Sequence, residues 1–224
     1  MKRALALALI VMAPCAPAGT VVTPIEAGGV FMVPTLSLKE SRFERTVHQQ
    51  YDFSCGSAAI ATLLTHHYNA PVSEQQVFQT MYQLGDQARI KREGFSLLDM
   101  KQYLAKLGFE AEGYVAKLDV LQKAQVPAIA LTREHGYLHF VVIKGLRGNR
   151  VLVGDPSAGT RAVSRQTFEK NWVNGVLFVV RSHTELARFN ADQDWRVAPP
   201  APIGGVVGAG AADATLMRRG PNDH

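Results

Sequence analysis

Apolar positions recur first with the period of a helix and later with that of a strand. Residues 55–68 carry Ala58, Ala59, Ile60, Ala61, Leu63 and Leu64 with no breaker after Gly56. This run predicts a helix that has Cys55 at its head and Ser54 as N-cap. Ser73-Glu74-Gln75-Gln76 has the form of a capping box and predicts a second helix through Leu84, stopped by Gly85. Residues 96–107 set Leu97, Met100, Leu104 and Leu107 on one face, with Gly108 beyond the end, and predict a third amphipathic helix. Then the period changes. Residues 127–132, 139–144, 150–155 and 176–181 are short β-branched or apolar runs separated by Gly, Asn and Pro, with a short helix predicted at 164–172. Helices followed by strands predict an α+β domain, with N-terminal helices packed on an antiparallel sheet and the Cys55 helix against that sheet.

The 224 residues, 47% hydrophobic and 19% charged, suit one folded domain and exclude a wholly disordered or collagen-like chain. Residues 1–18 begin with Lys2-Arg3, continue through an apolar run and close on Ala16-Pro17-Ala18, the pattern of a cleaved signal peptide. The expected compartment is periplasmic or secreted, with no integral membrane span once the signal is removed. Residues 19–42 read as an extended arm, 43–182 as the domain, and 183–224 as a largely disordered tail rich in Pro, Gly and Ala. Loss of residues 1–18 lowers the formal charge from +5 to +3 and leaves Cys55 as the one remaining cysteine. The basic residues are scattered, among them Lys91-Arg92, Arg147, Arg150, Arg161 and Arg165, and read as solvated surface, so no nucleic-acid partner is expected.

A free thiol in an oxidising compartment needs a reason to be there. At a helix N-terminus the unpaired N–H groups and the helix dipole favour a thiolate, and Gly56, Ser57 and Ala58 leave room for a substrate backbone. Cys55 is therefore a candidate nucleophile, although a small buried hydrophobe would look the same locally. A thiolate nucleophile calls for a proton-carrying histidine and a group to orient it. His139 heads an apolar strand and Asp155 ends the next one; a hairpin turning at residues 145–149 would bring them together. The adjacent His66-His67 diverge on their helix and read as surface, so no metal and no cofactor are expected. Gln49 and Gln50 are the side-chain amides available to stabilise an oxyanion.

The segment from Gln49 to Ala59, with Ser54-Cys55-Gly56 at its centre, followed by His139-Phe140-Val141-Val142 and Asp155-Pro156, resembles the C39 family of bacteriocin-processing cysteine peptidases, a papain-like group. The resemblance spans about residues 46–181. It implies a papain-like fold, with Cys55 as nucleophile, His139 as general base and acid, Asp155 as its orienting group and Gln49 as oxyanion donor. It also implies a peptide or protein substrate, cut after a double glycine in the family's usual case. Family members generally carry an aspartate directly before the cysteine, where this chain has Ser54. Many relatives are parts of ABC transporters, but no G-x-x-x-x-G-K-[ST] loop occurs here, so no ATP is expected. Gly28-Gly29 and Gly204-Gly205 read as flexible spacers. An exported stand-alone relative would trim a secreted protein or serve a cell-envelope export or assembly system. Two other uses of the same cleft stay open: a catalytically silent domain that binds a leader peptide or partner, and a cell-envelope amidase.

Overall fold

A computed structural model of the protein describes residues 20–24, 30–34, 37–134 and 136–198. The chain divides into two compact units, one up to Ser41 and one from Arg42 onward. In the first, β1 (Thr20–Pro24) and β2 (Val30–Pro34) pair antiparallel. The expected arm thus contains a two-stranded ribbon, and α1 (Leu38–Phe43) follows it. Residues 1–18 and 199–224, on which the signal peptide and most of the expected tail fall, lie outside the described residues.

The second unit opens with α2 (Cys55–His67), α3 (Glu74–Leu84), α4 (Gln87–Glu93) and α5 (Leu97–Lys106). Helix α2 is apolar on every side because it is enclosed: Ala58 through Leu64 are fully buried. The capping box of α3 forms as its sequence demands, with the Gln76 N–H donating to Ser73 Oγ and Gly85 N–H closing the last turn on Met81 O. Helix α5 repeats the device with Ser96 and Asp99. Helix α4, which was not expected, is one short stretch capped by Asp86. Among the described residues no helix is long and apolar enough to cross a membrane.

Then come β3 (Ala111–Val115), α6 (Asp119–Ala124), β4 (Ala128–Glu134), β5 (Tyr137–Arg147), β6 (Arg150–Asp155), β7 (Gly159–Ser164), α7 (Arg165–Asn171) and β8 (Val176–Val180). The six strands form an antiparallel sheet in the order β3-β8-β4-β5-β6-β7. One sheet face, through Ile129, Phe140, Val142 and Phe178, packs on α2, α3 and α5. The other, through Ala128, Val141, Ile143 and Val153, is covered by Leu118 just before α6, Leu121 within it and Phe168 of α7. Strands β3 and β7 carry Gly, Glu, Thr and Arg and lack the apolar run that signals a strand, so they escape a periodicity reading.

The body also extends past residue 182, where the tail was expected to begin. A 3₁₀ turn (Thr184–Leu186) and α8 (Asp192–Trp195) follow, and Asp194 and Trp195 are buried. This segment folds back over the end of α2: Arg188 N–H donates to His67 O at 2.9 Å, and His67 Nδ1 lies 2.7 Å from Arg188 O. His67 is consequently fully buried, not on the surface. Its desolvation lowers its pKa to about 3, so the ring is neutral and Nδ1–H is the donor. The scattered arginines are likewise not a plain solvated face. Arg147 and Arg150 lie over the Trp195 ring at 4.8 and 5.3 Å, and Arg165 holds Asp119 and Glu169.

Close approach of α2 to α5 and the linker before it depends on Gly56, where a Cβ would lie 2.8 Å from Met100 Cε and 3.0 Å from Phe95 Cβ. Gly56→Ala is expected to cost about 1–3 kcal/mol of stability, read as a lower urea midpoint at unchanged slope. An unaltered midpoint would mean that Met100 and Phe95 yield freely.

Candidate active site

Cys55 is half-buried, unpaired with any other cysteine, and the first residue of α2. The turn before it is fixed by Ser54, whose hydroxyl accepts from Tyr51 N–H at 3.1 Å and donates to Tyr51 O at 3.0 Å. Ser54 therefore spends its side chain on the turn and does not cap α2, the role expected of it. Its carbonyl accepts the first helical bond, from Ala58. The first-turn N–H groups gain no cap from Ser54 at the end of the helix that bears the sulfur. Below them the Ser57 hydroxyl lies 2.8 Å from Ser54 O and 2.9 Å from Glu74 Oε1. Stacked and tilted rings of Tyr51, Phe53 and Phe78 brace the turn from outside.

Opposite the sulfur stands His139, near the start of β5. Its Nε2 donates to Asp155 Oδ1 at 2.7 Å, and Cys55 hydrogen-bonds the same ring. With Nε2 taken by the carboxylate, Nδ1 is left to face the thiol. Burial alone would favour neutral imidazole, but the hydrogen bonds to Asp155 and Cys55 outweigh it and raise the pKa to about 9. Asp155 is buried as well. Its carboxyl is nevertheless held well below the usual carboxylate range: burial pushes upward, and the bonds from His139 and Ser157 more than offset it. Oδ1 accepts from Ser157 N–H at 2.9 Å and Ser157 Oγ at 2.8 Å, while Oδ2 accepts from Arg161 Nη2 at 3.0 Å.

Three of the expected residues are thus brought into one contact chain, Cys55, His139 and Asp155. The fourth, Gln49, sits beside it: its N–H donates to Pro156 O at 3.0 Å, tying it to the residue after Asp155. Its Nε2 donates to Tyr51 O at 3.1 Å, and its Oε1 is buried without a partner. Gln50 is exposed.

Sequence reading missed Arg161, which was assigned to the solvated surface. It is half-buried and bridges Asp155 to Glu134, 2.6 Å away. A signal for it was present. Asp155-Pro156-Ser157-Ala158-Gly159 is a turn sequence, and Gly159 has a φ of +79° that favours glycine. A hairpin there pairs Val153 with Arg161, which puts Arg161 on the same face as Asp155.

A groove of about 990 Å³ opens at Cys55. Its lining includes Phe53, Leu97, Leu131, Tyr137 and Phe140 together with the charged Arg89, Lys91, Arg92 and Glu93. A mainly apolar groove with a thiol in its lining suits a peptide.

Comparison with known proteins identifies the family and the fold. Residues 44–184 match the model of the peptidase C39 family. The probable functional amyloid protease FapD of Pseudomonas aeruginosa is 41% identical over 156 residues, covering 70% of this chain and 69% of that protein. FapD of Pseudomonas fluorescens is 38% identical over 181 residues, 80% of each. The lactococcin-G-processing and transport ATP-binding protein LagD of Lactococcus lactis is 27% identical over 60% of this chain, but only 18% of its own length is matched. Among solved structures, the peptidase domain of Streptococcus ComA superposes with a TM-score of 0.52 at 21% identity, covering 61% of this chain and 96% of that domain. That likeness is one of fold. The family match covers well over half the chain, and the protein belongs to the peptidase C39 family of cysteine peptidases.

Proposed function

We propose that this protein is an exported C39 peptidase that hydrolyses a peptide bond with a Cys55-His139-Asp155 triad. The observation that carries the reading is the 2.7 Å contact of His139 with Asp155 on an imidazole that also bonds Cys55. In this scheme the Cys55 sulfur attacks the scissile carbonyl. The oxyanion is met by the N-terminal N–H groups of α2 and by Gln49, whose Nε2 carries a second proton beyond the one given to Tyr51 O. His139 hands its proton to the leaving amine, which leaves a thioester on Cys55. It then takes a proton from water as that water attacks the thioester, releasing the new carboxyl terminus and restoring the imidazolium and the free sulfur nucleophile. Asp155 holds the ring by Nε2 and keeps the imidazolium charged.

The substrate is proposed to be a protein segment that lies extended along the apolar groove, cut after a double glycine. Identity of 38–41% to proteins named probable functional amyloid proteases supports a substrate connected with a functional amyloid. The Lys2-Arg3 start, apolar run and Ala16-Pro17-Ala18 close support export to the periplasm or beyond.

Cys55→Ala and His139→Ala are expected to lower cleavage of a quenched double-glycine peptide by about 10³-fold or more while leaving the circular dichroism spectrum unchanged. Iodoacetamide should label Cys55, as mapped by mass spectrometry. Cleavage that persists in Cys55→Ala would remove the mechanism.

The raised imidazole also sets a pH dependence. His139 keeps its proton as pH rises until about 9, and thioester formation needs that proton for the leaving amine. The alkaline fall in kcat/KM is therefore expected near pH 9. In Asp155→Asn the partner that holds the proton is weakened, so the fall moves to lower pH. By the same linkage, the interaction adds stability that is complete below the ordinary 6.5 and lost as pH rises through about 9. An alkaline limb at the same pH in both proteins would contradict this.

A further inference from the structure

Strand geometry makes the position of Asp155 depend on a single residue. At the β5–β6 turn Arg147 pairs with Arg150, Leu146 with Val151 and Gly145 with Leu152. Were that register to continue, Asp155 would fall opposite Val142, and the alternation of side chains would turn its carboxylate to the face away from His139. Instead the register shifts between Ile143 and Gly145, so that Ile143 pairs with Val153 and Val142 with Gly154. Lys144 is the extra residue, a β-bulge. Continued one step, the shifted register puts Asp155 beside Val141, two residues from His139 on the same face.

A bulge in the middle of a strand gives up ladder hydrogen bonds and needs other partners. Those partners come from the segment after residue 184, where the family match ends. Asn190 N–H donates to Lys144 O at 2.9 Å, and Leu146 N–H donates to Asn190 Oδ1 at 2.7 Å. Gly145 lies so close that a Cβ there would overlap Asn190 Oδ1. The Lys144 side chain is fully buried, with Nζ 2.6 Å from Asp194 Oδ1 and donating to Arg45 O at 2.6 Å. Asp194 Oδ1 also accepts from Arg45 Nε at 2.9 Å. A buried ammonium without its carboxylate is costly, so Asp194 decides whether Lys144 can stay inside.

We infer that residues 188–195 form a strap that locks the Lys144 bulge, and that Asn190 and Asp194 are thereby positioning residues for Asp155. The inference rests on the triad proposed above, and neither residue touches the reacting atoms.

The test uses the full chain and two readouts, titration of the His139 ring by NMR and cleavage of the quenched double-glycine peptide. In Asn190→Ala and Asp194→Ala, below each variant's unfolding temperature, the His139 midpoint is expected to fall from about 9 toward the ordinary 6.5. The kcat should drop about 10- to 100-fold with KM nearly unchanged. Combined with Asp155→Asn, the strap substitutions should add no further loss, because nothing remains for them to position. Leu121→Ala, which weakens the core at α6, should leave the His139 midpoint in place. If Asp194→Ala does not fold, Asn190→Ala, which removes one acceptor and sets alanine at a φ of +60°, carries the test. Folded strap variants with the parental His139 midpoint, or losses that multiply with that of Asp155→Asn, would overturn the strap alone. A lowered midpoint with undiminished cleavage would instead overturn the triad reading, and the catalytic purpose of the strap with it.

Discussion

Side chains of a strand alternate between faces, so the number of residues between a hairpin turn and an acid at its end decides which way that acid points. Here the pairing of His139 with Asp155 hangs on the extra residue at Lys144, which carries Asp155 to the histidine's side of the sheet. The 2.7 Å contact, the charged state of the ring and the orientation of Nδ1 toward Cys55 all follow from that displacement. Because the bulge is internal, its unpaired backbone and its buried lysine must be satisfied from outside the sheet, and residues 188–195 do this.

Charge at the site is balanced in layers. Asp155 is buried yet ionised, since Arg161 on one oxygen and His139 and Ser157 on the other compensate for lost water. Glu134 in turn anchors Arg161. The carboxylate is thereby held in one orientation, as a group that must aim an imidazole requires. The nucleophile is held differently, by backbone. The Ser54 turn, the start of α2 and the packing allowed by Gly56 place the sulfur, whose side-chain partner among the described residues is His139.

Much of the scaffold could be read directly from the chain. The helices at Cys55, Glu74 and Leu97 follow from apolar spacing and from Ser-led caps, which are local devices, and β6 was bounded by the turns on either side of it. Cys55, His139 and Asp155 could be named because each stands at the end of an element, where function is commonly displayed. Arg161 was passed over because its strand is polar and its role comes from pairing across the Asp155 turn. His67 and Asp194 were misplaced because their burial is imposed by a segment distant in sequence.

The sequence by itself determined the local elements and the chemical types at the site, since caps, periodicity and turn residues act within a few positions along the chain. Only the tertiary structure decided that Lys144 bulges, that Asp155 meets His139 and that the chain beyond residue 182 closes over the body. A strand's register and a buried ion pair are set by groups that lie far apart along the chain, and no local pattern records which of them will meet.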